Sequence, residues 1–464
     1  MVFSSLIFLC LFLPAVLLLY SVWNNVTYKN IILTAASLIF YAWGEPSFII
    51  LLLAASVLNY LFALGIDGAK SKGVSKLLIS VTVIFDILMI GVFKYAAFFV
   101  GSLNSVLRLS LPVPSIGLPL GISFYTFQIL TYVIDVYKKE IPVQKSYLKF
   151  LTFVSMFPQL IAGPIVRYAE VSKSLDKRRV NINSFADGCM LFVFGLGKKV
   201  LIANYAGSAK DMLFAASTAP TVLSSWLGIV LYSFQLYFDF SGYSDMAIGM
   251  GKMLGFEFPQ NFNYPYISRS VTEFWRRWHM TLSRFFRDYV YIPLGGNRCS
   301  KKRWIMNTMI VWMLTGLWHG ASWNFVLWGL YYGILLLIEK LLFKNLSKIP
   351  VISNIITLFL VVLGWSIFYF TDFSELKVFL EHLAGIGTVG FYDLMTVSVF
   401  QTNLWLILAC VLFSTPIPKK VFDKIVSVKG LGMVVEGAVM IVIFIACIAA
   451  LTGATSNPFL YFRF

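Results

Sequence analysis

The sequence predicts an all-α, polytopic membrane protein with roughly ten to twelve transmembrane or re-entrant helices. Three observations carry that expectation. Of the 464 residues, 59% are hydrophobic and only 12% are charged, against about 25% charged in a soluble domain. Apolar stretches at 1–20, 48–66, 77–100, 221–240, 351–370 and 433–451 each supply about the 17–25 residues that a spanning helix needs. Lys and Arg number 37 against 21 Asp and Glu, a net charge of +16, and they gather in short loops, as the positive-inside rule requires. In a soluble domain that excess would point to nucleic acid; between apolar segments it marks topology, so membrane lipids are the expected surroundings and no nucleic-acid partner is expected.

The elements follow in order. Residues 1–20 carry no basic n-region and no small-residue cleavage site, so they are read as a retained first span from an extracytoplasmic start. Lys70, Lys72 and Lys76, then Lys138, Lys139, Lys145 and Lys149, are placed on the cytoplasmic side, as are Lys340, Lys344 and Lys348 and later Lys419, Lys420, Lys424 and Lys429. Residues 119–128 read as a kinked, cavity-lining helix. The basic residues Arg167, Lys173, Lys177, Arg178 and Arg179 fit that sidedness only if 147–166, interrupted by Pro158, Gly163 and Pro164, is a re-entrant element; proline and glycine weaken a helix, and irregular backbone at membrane depth must be buried or line a cavity. Then 185–205 goes out, 222–250 returns, and 251–303 is a basic cytoplasmic-side segment. Residues 304–339 form a helical hairpin, from 304–318 and 323–339. The segment 372–393, with Asp372, Glu375, Glu381 and Asp393 against one lysine, falls outside. No repeat and no linker divides residues 1–464, so a single domain is expected. The short loops place any chemistry inside the helix bundle.

Histidine is the side chain whose ordinary pKa lies near neutrality, and an ionisable group at membrane depth is a functional-site candidate. The chain has three histidines. His382 lies in an outer loop and reads as solvated. His279 sits in the densest run of functional residue types, among Trp275, Arg276, Arg277, Trp278, Arg284 and Arg287. Taken as one helix, Trp275, His279, Ser283 and Arg287 share a face at i, i+4 spacing. An interfacial amphipathic helix is the plainer reading, but Glu273 and Asp288 suit the orienting of Arg277 or Arg284 better than the anchoring of an anionic leaflet. Arginines in such a site can also hold the phosphates of a nucleotide-like donor. His319 follows Trp318 at the end of a segment that reaches about 20 Å into a hydrocarbon core of about 30 Å. The small residues Gly320, Ala321 and Ser322 after it leave room for a ligand, so His319 is read as catalytic, either as a general base toward a hydroxyl or as the carrier of a transient acyl group. Upstream, Gln235, Asp239 and Asp245 are read as support near the site, the carboxylates meeting arginines or backbone donors because buried charges are costly alone. Of five cysteines only Cys299 lies outside apolar segments, and no cysteine or histidine spacing supports a metal site. No phosphate loop or nucleophile elbow is present.

Four stretches, Phe238-Asp-Phe-Ser-Gly-Tyr-Ser-Asp-Met-Ala247, Phe274-Trp-Arg-Arg-Trp-His-Met-Thr-Leu-Ser283, Phe286-Arg-Asp-Tyr-Val-Tyr-Ile-Pro-Leu-Gly-Gly296 and Gly316-Leu-Trp-His-Gly-Ala321, resemble the membrane-bound O-acyltransferase family. The residues at 161–165 and the terminal run at 457–464 fit the same pattern, so the resemblance runs nearly end to end. It is closest to the branch that acetylates bacterial polysaccharides such as alginate. The resemblance implies helices around a central funnel, His319 as the catalytic histidine, and His279 at the second polar position of the signature. It also implies acetyl transfer from a cytoplasmic thioester, acetyl-CoA, to a polysaccharide hydroxyl, with an extracytoplasmic acetyltransferase subunit as partner, in a bacterial cell membrane. The donor is a substrate, and no bound cofactor or metal is expected. Two other readings stand beside this one: a transporter or flippase for a lipid-linked glycan, and D-alanyl transfer to teichoic acid.

Overall fold

The computed structural model describes residues 1–161, 163–215, 219–343, 349–428, 430–453 and 460, with Leu431 described by its backbone alone. Lys344, Lys348 and Lys429 of the basic loops, and all of the terminal motif except Leu460, lie outside the described residues. Every regular element among the described residues is a helix, which bears out the all-α expectation. Among the described residues, five helices are long and apolar enough to cross a membrane: Ile49–Asp67, Lys72–Leu107, Trp323–Leu341, Pro350–Tyr369 and Gly432–Thr452. A sixth span arises if Leu394–Thr402 and Leu404–Phe413, bent by 58°, count as one.

The smaller number of straight spans has a physical reason. A hydropathy window runs across helix breaks that the backbone respects. The apolar stretch at 1–20 yields only the shorter helix Phe8–Ser21, which opens with the π-turn Phe8–Phe12. The stretch at 185–205 is a helix, Ile182–Gly197, running into the π-turn Lys198–Ala203.

Two compact units make up the chain, one of Met1–Phe192 with Ser244–Pro259, the other of Val193–Tyr243 with Gln260–Phe464. The chain passes from one to the other three times, twice inside helices, Ile182–Gly197 and Val222–Met253, and once in the short stretch between Pro259 and Gln260, so no long linker announces them in the sequence.

In the first unit, Tyr147–Ser155 and Phe157–Leu160 are separate short helices with Met156 between them at φ −50°, ψ 111°. The break precedes Pro158, which occupies the first turn of the second helix, where its missing N–H costs nothing. From Phe150 to Leu160 these residues are buried. The expected kink within 119–128 is not there. Instead Gly121, in the left-handed region at φ +74°, starts an unbroken helix Ile122–Tyr137, and a Cβ at Gly121 would stand 2.7 Å from the Leu160 carbonyl oxygen. That helix is almost wholly buried, so its polar face is packed in protein.

In the second unit the expected hairpin is Lys301–His319 and Trp323–Leu341. Its helices approach through glycine: a Cβ at Gly316 would strike the Phe325 carbonyl, and one at Gly329 the Trp312 carbonyl. Small residues allow such backbone contact where apolar lipid offers no hydrophobic drive. Pro350–Tyr369 packs on the second hairpin helix, with the Tyr332 hydroxyl against Gly364.

Candidate active site

The basic segment is not one helix. Val271–Arg277 and Met280–Phe286 are separate, and His279 stands between them in the left-handed conformation, φ 42°, ψ 53°. A non-glycine residue there is strained and persists only where its surroundings impose it. They do so through Asn261 and Asn263. The Asn263 N–H donates to the Arg277 carbonyl (2.9 Å), and the Met280 N–H donates to the Asn261 carbonyl (2.9 Å). The i, i+4 face expected from Trp275 to Arg287 is therefore broken at its second member.

The Asn261 side chain also fixes the histidine's proton. Its Oδ1 accepts from the Thr281 N–H (3.2 Å) and the Thr281 hydroxyl (2.9 Å), and lies 3.1 Å from His279 Nδ1. A backbone N–H can only donate, so the atom facing it is the amide oxygen, and Nδ1 must carry hydrogen. Nε2 is then the bare acceptor. It is buried and has no hydrogen-bond partner among the described residues. Burial pushes the imidazole pKa down to about 3, which leaves the ring neutral.

His319 closes the helix Lys301–His319, and Gly320 leaves it in an extended conformation. Both histidines are buried, at 1% and 5% exposure. One indole touches both: Trp318 lies 5.6 Å, ring centre to ring centre, from His279 and 5.0 Å from His319. Trp328 at 5.0 Å and Phe368 at 5.4 Å complete an edge-on set of rings about His319. The space that Gly320 was expected to leave for a ligand is filled. The Phe325 ring occupies it, so closely that a Cβ at Gly320 would overlap the ring.

A cavity of about 910 Å³ reaches His279. Its walls are mainly apolar, and Trp275, Thr315, Arg269, Arg276, Arg287 and Lys340 are among its residues; His319 is not one of them. Trp275 packs on Trp312 (4.7 Å) and Tyr332 (4.8 Å), and its indole N–H has no acceptor among the described residues. Glu339 lines the same cavity, and its carboxylate accepts from the N–H groups of Val271 (2.7 Å) and Thr272 (3.2 Å), holding the start of the helix that carries Trp275.

The other expected site residues divide. Arg276 is exposed and lines the cavity. Arg277 does not line it; it is held by Glu273 (2.9 Å) and the Asn263 carbonyl (3.0 Å). Asp288 binds Arg287 at 2.6 Å. Trp278 belongs to the aromatic core, against Trp365 (4.8 Å) and Phe262 (5.1 Å), and does not line the cavity. Gln235 is in the second unit too, its amide pressed on Gly207. Asp239, expected to meet arginines or backbone donors, accepts from the Leu460 backbone N–H at 2.8 Å and is paired at 2.7 Å with Lys199, a lysine. Asp245 belongs to the first unit. Asn261, Arg269 and Glu339 were missed. Nothing in the run Gln260-Asn-Phe-Asn263 distinguishes a clamp from a polar turn.

The sequence profile described as MBOAT, membrane-bound O-acyltransferase family, matches residues 6–376. The chain is 45% identical to a protein of Pseudomonas aeruginosa named probable alginate O-acetylase, over 84% of this chain and 76% of that one. It is 38% identical to a protein of the same name in Azotobacter vinelandii over the full length of both. It is 34% identical to the peptidoglycan O-acetyltransferase of Helicobacter pylori, over 84% of this chain and 81% of the other.

Proposed function

Since the chain belongs to the membrane-bound O-acyltransferase family and is thus a multi-pass bacterial membrane O-acyltransferase, we propose that it carries acetyl groups from a cytoplasmic thioester toward hydroxyls of an extracellular or cell-wall polysaccharide. The observation that carries this reading is the unequal placement of two buried imidazoles around Trp318. His279 meets a large cavity with cationic residues, and His319 sits among rings on the other contact of that indole.

The donor is acetyl-CoA. Its phosphates suit Arg269, Arg276, Arg287 and Lys340, and its thioester arm suits the mainly apolar passage toward His279. The acceptor hydroxyl oxygen bonds to the thioester carbonyl carbon while His319 takes the hydroxyl proton. The carbon–sulfur bond then breaks, and the leaving sulfur receives that proton, giving an ester and a free thiol with no net proton change. His279, neutral and proton-bearing at Nδ1, presents its Nε2 lone pair on the donor side, where it accepts from an amide N–H of the thioester arm and so positions the thioester. An extracytoplasmic acetyltransferase subunit receives the product or passes it on to the polymer.

The test is mild-base release of esters from extracellular polysaccharide and peptidoglycan of cells with and without the protein, with chemical identification of the acid released. Acetate that disappears with His319→Ala at unchanged membrane expression is the expected result. Release of D-alanine instead would move the protein to teichoic acid chemistry, and an unchanged ester content would overturn the assignment. His279→Ala is expected to leave a small residual acetate yield, consistent with orientation.

A further inference from the structure

We propose that the rings around His319, namely Trp318, Trp328, Phe368 and the Phe325 ring beside Gly320, set the length of acyl group this enzyme transfers, and that the donor cavity does not. The inference rests on the acetyl-transfer reading and concerns which acyl chains pass from cavity to product. Two facts make the separation. The cavity at His279 encloses about 910 Å³ between mainly apolar walls that include Leu282, Val311, Leu335 and Leu336. Such a space accepts acyl chains much longer than acetyl. Around His319 the opposite holds. Three ring centres stand 5.0–5.4 Å from the imidazole, Phe368 packs on Phe325 at 5.0 Å, and Phe325 fills the space that Gly320 leaves open next to the histidine.

The rings cannot easily withdraw. Trp328 is fully buried and packs on Phe368 at 5.3 Å and Trp365 at 6.1 Å. The hairpin backbone behind it is in direct glycine contact. Interiors packed in this way resist even one added methylene. The thioester carbonyl must come within hydrogen-bond reach of the hydroxyl that His319 deprotonates, so whatever hangs from that carbonyl must fit among these rings. A closed apolar wall discriminates by about 10–200-fold per methylene. Longer thioesters are therefore bound at His279 and rejected at His319.

The experiment uses purified full-length protein in detergent or nanodiscs, a soluble polysaccharide acceptor, and acetyl-, butyryl- and octanoyl-CoA. With the unmodified protein, butyryl- and octanoyl-CoA are expected to inhibit acetyl transfer competitively while being transferred at least about 10-fold more slowly than acetyl. Phe368→Ala, and as a milder second change Phe368→Leu, are expected to raise the butyryl-to-acetyl ratio about 10-fold or more. That ratio is internal to each variant, so partial loss of folded enzyme does not move it. Equal transfer of acetyl and butyryl by the unmodified protein overturns the proposal, as does an unchanged ratio in both variants. Failure of butyryl-CoA to compete overturns it differently, by placing the filter in the donor cavity. No acetyl transfer from acetyl-CoA, even with the extracytoplasmic subunit added, would instead sink the donor assignment on which the inference rests.

Discussion

The two histidines lie against one indole yet are held by opposite means. His279 is fixed by hydrogen bonds: a strained backbone, an amide oxygen serving three donors, and an open cavity at its side. His319 is fixed by packing: the end of a 19-residue helix, edge-on rings, and a glycine whose missing side chain is replaced by Phe325. On the function proposed above, the difference matches two tasks. A donor site must admit a large charged molecule and hold it in place, which polar clamps achieve. The proposed transfer site must exclude acyl groups that are too large and keep a base in place, which close packing achieves.

The contrast can be broken from either side. The largest effect is expected from His319→Ala, which should reduce polysaccharide acetate to background; acetate analysis at matched membrane expression checks it. Next, Asn261→Ala removes the oxygen shared by the Thr281 N–H, the Thr281 hydroxyl and His279 Nδ1–H, and with it the acceptor that fixes the imidazole. Each unsatisfied buried donor costs about 1–3 kcal/mol, and misplacing the ring costs about 100-fold in rate, so both thermal stability and kcat should fall. An unchanged kcat would show that the left-handed turn holds His279 without the amide. On the packing side, Gly320→Ala drives a methyl into the Phe325 ring. Overpacking of this kind costs about 1–3 kcal/mol, and Phe325→Leu in the same protein should recover part of the loss in a melting experiment. The smallest effect belongs to Arg276→Ala: as an exposed cation at the cavity, it should raise the KM for acetyl-CoA a few-fold with kcat nearly constant, and the difference should shrink in high salt. Equal KM values in low salt would remove Arg276 from donor binding.

How far each side could be foreseen also differs. His319 was legible because its signals are local: a basic turn, a run of apolar residues, a tryptophan, a histidine, a glycine. Helix geometry alone converts that string into depth and a helix end. The surroundings of His279 were not legible. Val271–Arg277 and Met280–Phe286 read as one amphipathic helix, since no proline or glycine marks position 279, and the break depends on Asn261, 18 residues earlier in the chain. The arginines show the same limit. Arg276 and Arg277 are neighbours in sequence, but one lines the cavity and the other is tied to Glu273 and Asn263.

The sequence by itself determined the all-helical membrane character, the basic loops, the hairpin ending at His319 and, through its motifs, the family. These depend on hydropathy, charge and spacing along one segment at a time. Only the tertiary structure decided which nitrogen of His279 is free, that Phe325 fills the space beside Gly320, that Trp278 is core while Trp275 lines a cavity, and that Asp239 is neutralised by Lys199. Each of those is set by a partner distant along the chain or across a turn, and side-chain chemistry at such a contact is fixed by which groups meet, a matter on which local patterns are silent.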